Sequence, residues 1–230
     1  MNRTLSLEDY VSLANSKLNE KIPALLRTAT PQDAESIQKL NLLIPGLEYP
    51  LEGIQAILQE PKNLNYVIQE NQKPNPKSRE PGGYSPLLSF SLAYPSQQFP
   101  KIFKYMHWDS SEIPIEHNDP KALCLELKIT HPSLQGQGIY KVIRTIQELA
   151  AYHTGYNKIY LQSFNENARD IHAQEGYQLL REITLTENEH GHNEYFMRLD
   201  LTAQRNQKNI DYLETARAQP KPTISSQLYI

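Results

Sequence analysis

The hydrophobic period of the chain changes within residues 121–152, which read KALCLELKITHPSLQGQGIYKVIRTIQELAAY. Apolar residues alternate with other residues from 121 to 130, and this alternation predicts a β-strand. The strand is expected to place four apolar side chains on one face, namely Leu123, Leu125, Leu127 and Ile129. The opposite face is expected to carry Cys124, Glu126 and Lys128.

A helix is expected to follow this strand, because apolar residues recur at helical spacing from position 139. Its buried face is predicted to consist of Ile139, Val142, Ile143, Ile146, Leu149 and Ala150. Its opposite, polar face is predicted to consist of Lys141, Arg144, Thr145 and Glu148. The pattern is typical of a helix that packs on a sheet through one side.

The turn between the strand and the helix contains two glycines, Gly136 and Gly138. Glycine lets a backbone come close to a ligand because it has no Cβ atom, and the first N–H groups of a helix have no partner within the helix. These features together predict an anion-binding turn. The turn differs from a P-loop, since the sequence has no G-x-x-x-x-G-K-[ST] string, and the dinucleotide motif G-x-G-x-x-G stops here after two glycines.

Three segments of the sequence resemble one known family. Residues 135–140, QGQGIY, resemble the Q/R-x-x-G-x-G/A signature of the GNAT acyl-CoA-dependent N-acetyltransferases. Residues 165–177, NENARDIHAQEGY, resemble the family's N-x-x-A-x-x-x-Y-x-x-x-G-F segment, with His172 where tyrosine is usual. Residues 26–34, LRTATPQDA, resemble its opening strand and first helix. The segments occur in the order that the family would need.

The resemblance implies an α/β chain with a GNAT fold, in which a mixed, mostly antiparallel central sheet splays at the acyl-CoA site and has helices on both faces. It divides the chain into an N-terminal helical extension at 1–23, an acetyltransferase domain at 24–200 and a polar C-terminal tail at 201–230. The implied reaction transfers an acetyl group from acetyl-CoA, the co-substrate, to a primary amine of a small molecule or a protein. The residues implied to bind acetyl-CoA are Ile129, Thr130, Gln135, Gly136, Gln137, Gly138, Ile139, Tyr140, Asn165 and Ala168.

Two residues are candidates for proton transfer. Glu126 is expected to take a proton from the acceptor amine, directly or through water, although a carboxylate there can also pair with Lys128 or a neighbouring strand. His172 occupies the position of the tyrosine that commonly protonates the leaving thiolate in the family, and an imidazole can donate a proton near neutrality. It shares a helical face with Ala168 and Ile171 and is therefore expected to point inward, where it can also be a core residue. Asn165 can bind the acyl arm, cap a helix, or do both.

Two functions of different class remain open at the level of the sequence. Tyr140 stands where glycine or alanine is usual, so its side chain either turns away from the phosphates or crowds them. The substitutions at Tyr140 and His172 favour a GNAT-fold protein that binds acyl-CoA or a partner without catalysis. The intact residues 135–138 and Asn165 favour an active N-acetyltransferase, which is the function predicted here.

Composition excludes several other classes of protein. The 230 residues carry a net charge of −3, so no overall basic excess points to nucleic acid. The single cysteine, Cys124, excludes an internal disulfide and fits a reducing compartment. No apolar run has the length of a membrane helix and the N-terminus lacks an apolar signal segment, so a soluble, cytoplasmic protein is expected. A homodimer is left open.

Further segments outside the three motifs carry weaker predictions. Residues 6–21 are predicted to form a helix that begins with a capping box. The loop 71–84 and the insertion 95–120 interrupt the domain, and the aromatic and acidic residues of the insertion suit a pocket for a cationic amine as well as they suit an extra hairpin. His190 and His192 have no third ligand at a recognisable spacing, so no metal site is predicted. A short helix is expected near Ile210.

Overall fold

A central sheet of seven strands organises the part of the chain that the computed structural model describes. The described residues are 5–44, 49–60, 62–71, 86–104, 118–163, 166–184 and 193–215. The strands are β1 (Ala24–Thr28), β2 (Tyr66–Glu70), β3 (Leu87–Pro95), β4 (Ala122–Thr130), β5 (Lys158–Ser163), β6 (Gln178–Thr184) and β7 (Asn193–Asp200). Their spatial order is β1-β2-β3-β4-β5-β7-β6. Only the neighbours β4 and β5 run parallel, and the other neighbouring pairs in this sheet are antiparallel.

Helices pack on both faces of this sheet. They are α1 (Leu7–Asn19), α2 (Ala34–Asn41), α3 (Leu51–Gln59), α4 (Phe99–Phe103), α5 (Ile139–His153), α6 (Glu166–Gln174) and α7 (Ala203–Glu214). Helices α2, α3 and α4 share one apolar cluster with β3 and β4, whereas α1, α5 and α7 share another with β1 and β2. The α/β class, the mostly antiparallel sheet and the helices on both faces are therefore confirmed. Among the described helices, none is long and apolar enough to cross a membrane.

The expected capping box begins α1, and a second box precedes α2. The Ser6 hydroxyl accepts from the backbone N–H of Asp9 at 3.2 Å, and the Asp9 carboxylate accepts from the backbone N–H of Ser6 at 2.8 Å. The same reciprocal arrangement joins Thr30 and Asp33 ahead of α2. Such boxes satisfy backbone donors that have no partner within the helix, which fixes where each helix begins.

The exposed edge of the sheet at β1 is covered by a side chain of α1. The Asn15 amide donates to the backbone oxygen of Leu26 at 3.1 Å, and its oxygen accepts from the backbone N–H of Leu26 at 2.6 Å. The amide thus replaces a neighbouring strand at one position of β1. This contact blocks the edge against pairing with another chain and fixes α1 to the sheet.

The prediction that α5 exposes a polar face is wrong. Its apolar face is buried as expected, but Arg144, Thr145 and Glu148 are also buried, and Lys141 alone of that predicted face is exposed. The covering element is α7, in which Arg205 donates to both Glu148 carboxylate oxygens at 2.8 and 2.9 Å. The buried carboxylate is thereby paired, as burial of a charge requires.

The expected helix near Ile210 is confirmed as α7, and it belongs to the packed part of the molecule. Leu213 lies in the same apolar cluster as residues of α1 and α5. The boundaries at residues 23 and 200 stay predictions. Most of the loop 71–84, much of the insertion 95–120, His190, His192 and the end of the chain from 216 lie outside the described residues.

We expect that Leu213→Ala lowers the free energy of unfolding by about 2–4 kcal/mol, because it leaves a cavity between α7 and the helices beneath it. The matched control is Leu7→Ala, whose side chain is 36% exposed and whose loss should change stability by no more than about 0.5 kcal/mol. Urea unfolding of the two variants and the parent protein measures both effects. Equal stability of the two variants would show that α7 is not docked.

Candidate active site

The two parallel strands at the centre of the sheet separate along their length. Pairing of β4 with β5 runs from Ala122 opposite Lys158 to Leu125 opposite Leu161. Beyond that point β5 continues only with β7, and β4 continues only with β3 as far as Thr130. Among the described residues, no strand pairs with 126–130 on the β5 side. The expected splay of the sheet is therefore present, and it leaves backbone groups of β4 available to a ligand.

An extra residue lies in β4 where the splay begins. Leu92 of β3 pairs with Leu127, whereas the next residue, Ala93, pairs with Leu125. Glu126 is therefore the additional residue of a β-bulge in β4. A bulge bends its strand and shifts the alternation of side chains by one position.

The bulge changes which side chains of β4 share a face of the sheet. Leu123 and Leu125 pack in a cluster that includes a residue of α5, but Leu127 and Ile129 pack in the cluster formed with α2 and α3. The prediction that these four apolar residues share one face is therefore wrong. Lys128 reaches toward α5 and does not share a face with Glu126, whose partners belong to the α2 and α3 side.

A pocket lies at the point where β4 and β5 separate. It is lined by Tyr49, Phe99, Cys124, Leu125, Glu126, Tyr160, Leu161 and Gln162. Its enclosed space is about the size of one water molecule, and it is open to solvent at its mouth. Aromatic rings and one carboxylate make up much of the lining, which is a chemistry that suits a cationic amine.

Two tyrosines hold the carboxylate of Glu126. The Tyr49 hydroxyl donates to Oε1 at 2.8 Å, and the Tyr94 hydroxyl donates to Oε2 at 2.5 Å. Burial raises the pKa of Glu126, and the hydrogen bonds from Tyr94 and Tyr49 oppose that rise by stabilising the ionised form. A carboxyl whose pKa is raised toward the working pH is better suited to accept a proton from an amine.

The glycine turn lies at the end of β4, directly before α5. Gly136 and Gly138 both adopt left-handed conformations, with φ of 77° and 74°, which residues with a Cβ rarely adopt. Gly138 is the N-cap of α5 and supplies no side chain to its first N–H groups. A Cβ on Gly138 would lie 3.3 Å from the Nζ atom of Lys21. Backbone donors and a cation thus meet at this turn, and such an arrangement favours an anion.

Several other residues that were predicted to bind acetyl-CoA lie near the separation of β4 and β5. Ile129 and Thr130 end β4, where they pair with β3 but with no described strand on the β5 side, and the Gln135 amide donates to the Thr130 oxygen at 3.4 Å. Ala168 lies partly buried in α6. Asn165 lies outside the described residues.

Tyr140 turns toward the sheet. Its hydroxyl accepts from the ammonium of Lys128 and donates to Glu175 at 3.2 Å. Arg144 pairs with the same carboxylate of Glu175 at 2.7 Å. Burial lowers the pKa of Lys128 to about 7, while the Glu175 carboxylate partly offsets this effect. The tyrosine at this unusual position therefore joins β4 to α5 and to the end of α6.

His172 points inward as predicted, but Ile171, which was expected on the same face, is 50% exposed. The imidazole packs against the rings of Tyr177 and Tyr140, with centroids 5.3 and 6.4 Å away, and its Nδ1 lies 3.8 Å from Glu175. Burial first, and then the charge of Lys128, lower the pKa of His172 to about 4. The ring is therefore neutral near pH 7.

Sequence reasoning missed most of the residues that surround Glu126. Tyr49 precedes α3 and Tyr160 lies in β5, and neither belongs to a motif. Tyr94 lies in β3 and belongs to no motif either. Long-range contacts bring these side chains together, and no local spacing in the sequence indicates them. Phe99, from the insertion 95–120, is one of the residues that line the pocket.

We expect that His172→Phe reduces the dependence of stability on acidic pH. The pKa of His172 is about 4 when folded, whereas a histidine in an unfolded chain titrates near 6.5. The unfolded chain therefore binds more protons between these values, and the parent protein gains stability as pH rises through this window. The phenylalanine variant should lack a part of this gain on the order of 2 kcal/mol. Urea unfolding at pH 4.5 and 7 measures the gain in each protein. An equal gain in the parent protein and in His172→Phe would contradict the buried position of His172.

Comparison with known proteins supports the fold. No protein-family model and no curated protein sequence matches the chain. Among solved structures, Ard1 from Thermoplasma volcanium superposes with a TM-score of 0.57 at 11% identity, over 79% of this chain and 99% of that one. Arabidopsis thaliana NAA60 in complex with acetyl-CoA gives 0.57 at 14% identity, over 77% and 98%. The ribosomal-protein-S18-alanine N-acetyltransferase from Escherichia coli gives 0.54 at 11%, over 90% and 99%. The chain thus has the fold of the GNAT N-acetyltransferases.

Proposed function

We propose that the protein is an N-acetyltransferase that moves an acetyl group from acetyl-CoA to a primary amine by direct attack in a ternary complex. The observation that carries this proposal is the meeting of three features at one place in the sheet. The strands β4 and β5 separate there, the glycine turn lies at the end of β4, and Glu126 faces a pocket at the start of the separation. Acyl transfer needs an anion site, a strand edge for the acyl arm and a proton acceptor within reach of one another.

Acetyl-CoA would bind along the unpaired edge of β4. The pantetheine amides would add to the strand near Ile129 and Thr130, as an extended ligand adds to a free edge. The pyrophosphate would meet the backbone N–H groups of residues 135–140 at the N-terminus of α5. Asn165 and Ala168 would contact the arm from the α6 side. The structure of the Arabidopsis protein in complex with acetyl-CoA, which shares this fold, supports the choice of co-substrate.

The acceptor is proposed to be a primary amine of a small molecule or of a protein. An ammonium would enter the pocket beside Tyr49, Phe99 and Tyr160, whose rings stabilise a cation. The name of the Escherichia coli structure gives a protein alanine as its acceptor. The pocket chemistry itself suits an amine on either kind of molecule.

Proton transfer would involve residues on both sides of the separation. An ammonium has no lone pair, so Glu126 would take one proton before the nitrogen attacks the thioester carbonyl. The leaving thiolate would meet His172 on the α6 side, the residue proposed for this step. Since its pKa is about 4, the imidazole would be neutral and would stabilise the thiolate by a donated N–H hydrogen bond, while the proton itself would come from solvent.

Two observations favour a second function, binding of acyl-CoA without catalysis. Tyr140 turns toward β4 and contacts Lys128, and His172 is neutral at physiological pH. Thermal melting with and without acetyl-CoA tests binding, and release of free CoA with a panel of polyamines, amino sugars, amino acids and peptides tests turnover. A shift in melting temperature without CoA release would favour the second function.

Location and assembly stay predictions. The composition and the single buried cysteine fit a cytoplasmic protein. A homodimer is proposed only as an open alternative to a monomer, and nucleic acid is not an expected partner.

We expect that Gly138→Trp abolishes acetyl-CoA binding, lowering the affinity by roughly 100-fold or more, because the side chain would fill the anion-binding turn. The matched control is Gly155→Trp, which introduces the same left-handed strain at φ of 92° with nothing within 4 Å, at the other end of α5. Calorimetric titration of folded samples measures both. Parent-like affinity in a folded Gly138→Trp protein would rule out this turn as the site.

We expect that Glu126→Gln lowers the rate of acetyl transfer by about 100-fold or more, since an amide cannot accept the proton, and that it leaves acetyl-CoA affinity nearly unchanged. The control is Glu182→Gln, an exposed residue of β6, which should retain the parent rate. Steady-state release of CoA measures both variants. An unchanged rate in Glu126→Gln would transfer the role of base to acids outside the described residues, such as Asp109 or Glu112.

A further inference from the structure

Glu126 is held by two hydroxyl groups that come from two distant positions earlier in the sequence. Tyr49 lies before α3 and Tyr94 lies in β3, and each donates to a different oxygen of the carboxylate. The side chain of Tyr94 is fully buried, and that of Tyr49 is 4% exposed. Neither hydroxyl can therefore exchange its carboxylate partner for bulk water without a change in packing.

Both hydroxyl groups are protonated donors near neutral pH. Burial, followed by the charge of Glu126, raises the pKa of Tyr49 and of Tyr94 well above the usual value for tyrosine. The two donors thus remain in place while the carboxylate changes its protonation state.

The two tyrosines differ in their relation to the pocket. Tyr49 contributes to the lining together with Glu126, whereas Tyr94 is not among the lining residues. Tyr49, which donates to Oε1, therefore lies on the pocket side, whereas Tyr94, which donates to Oε2, does not line the pocket. A carboxylate with both oxygens held in this way cannot rotate away from the pocket at low cost.

We propose that Tyr49 and Tyr94 are positioning residues that hold the Glu126 carboxylate, one hydroxyl on each oxygen, and keep it directed toward the pocket for the acceptor amine. This inference rests on the proposed function. It extends that function because two side chains that belong to no sequence motif, Tyr49 and Tyr94, set the proton affinity and the orientation of the base.

The proposal predicts the direction in which the pKa of Glu126 changes when either hydroxyl is removed. A donor to a carboxylate stabilises the ionised form, so its loss raises the pKa of the carboxyl. Glu126 would then stay protonated, and unable to act as a base, up to a higher pH. The acidic limb of the rate profile should move toward higher pH.

The test uses Tyr49→Phe and Tyr94→Phe in the full chain, with the acceptor found in the amine panel and saturating acetyl-CoA. Each variant should move the acidic limb of kcat upward by about 0.5–1.5 pH units, and Tyr49→Phe should also raise KM for the amine because it lines the pocket. The matched control is Tyr66→Phe, a buried tyrosine in the cluster on the other face of the sheet. It should leave the profile unchanged.

A second measurement does not depend on turnover. The carboxyl of Glu126 can be followed by NMR in protein labelled with ¹³C at the glutamate carboxyl carbon, with Glu126→Gln used for assignment. Its titration should move upward in both phenylalanine variants. If the titration moves but no amine is acetylated by the parent protein, the proposed function fails and the hold on the carboxylate stands.

Two results would overturn the positioning role. One is a pH profile and a carboxyl titration that match the parent protein in a folded Tyr49→Phe or Tyr94→Phe variant. The other concerns a double variant that combines either phenylalanine substitution with Glu126→Gln. If its free-energy loss in rate equals the sum of the two single losses, the tyrosine does not act through the carboxylate, because a group that acts through Glu126 should cost no further rate once that carboxylate is gone. If Tyr94→Phe does not fold, Tyr49→Phe decides by the same criteria.

Discussion

The candidate functional groups of β4 lie where this strand separates from β5. Strand β5 keeps its pairing with β7 to the end, and β4 keeps its pairing with β3, so the parallel pairing between them stops after Leu125 and Leu161. Twist rotates neighbouring strands relative to each other, and the two halves of the sheet diverge where pairing ends. Backbone N–H and C=O groups at this edge need partners, which an extended ligand can supply.

The bulge at Glu126 separates charges that simple alternation would place together. Glu126 and Lys128 would share a face in a regular strand, where the two side chains would form an ion pair and the carboxylate would lose its proton affinity. The extra residue instead directs Glu126 to Tyr49 and Tyr94 and directs Lys128 to Tyr140. One side of the sheet therefore carries a carboxyl with a raised pKa, and the other side carries a lysine with a lowered pKa.

The C-terminal helix explains why α5 is buried on its polar side. Glu148 is 1% exposed and accepts from Arg205 and Asn209 of α7, while Arg144 pairs with Glu175 at the end of α6. A buried carboxylate is tolerated because each of its oxygens has a charged or polar donor. The same network surrounds His172, so packing of α7 and the neutrality of that imidazole are linked through shared partners.

The sequence by itself determined the strand, the glycine turn and the helix at residues 121–152, because the period of apolar residues and the conformation of glycine are local properties. It also determined the capping boxes and the inward position of His172. Only the tertiary structure decided the bulge at Glu126, since a bulge depends on the register with a neighbouring strand. The sequence does not indicate the tyrosines around that carboxylate either, because Tyr49 lies 77 positions from Glu126 in the chain. Contacts over such distances follow from packing and leave no local pattern in the amino-acid sequence.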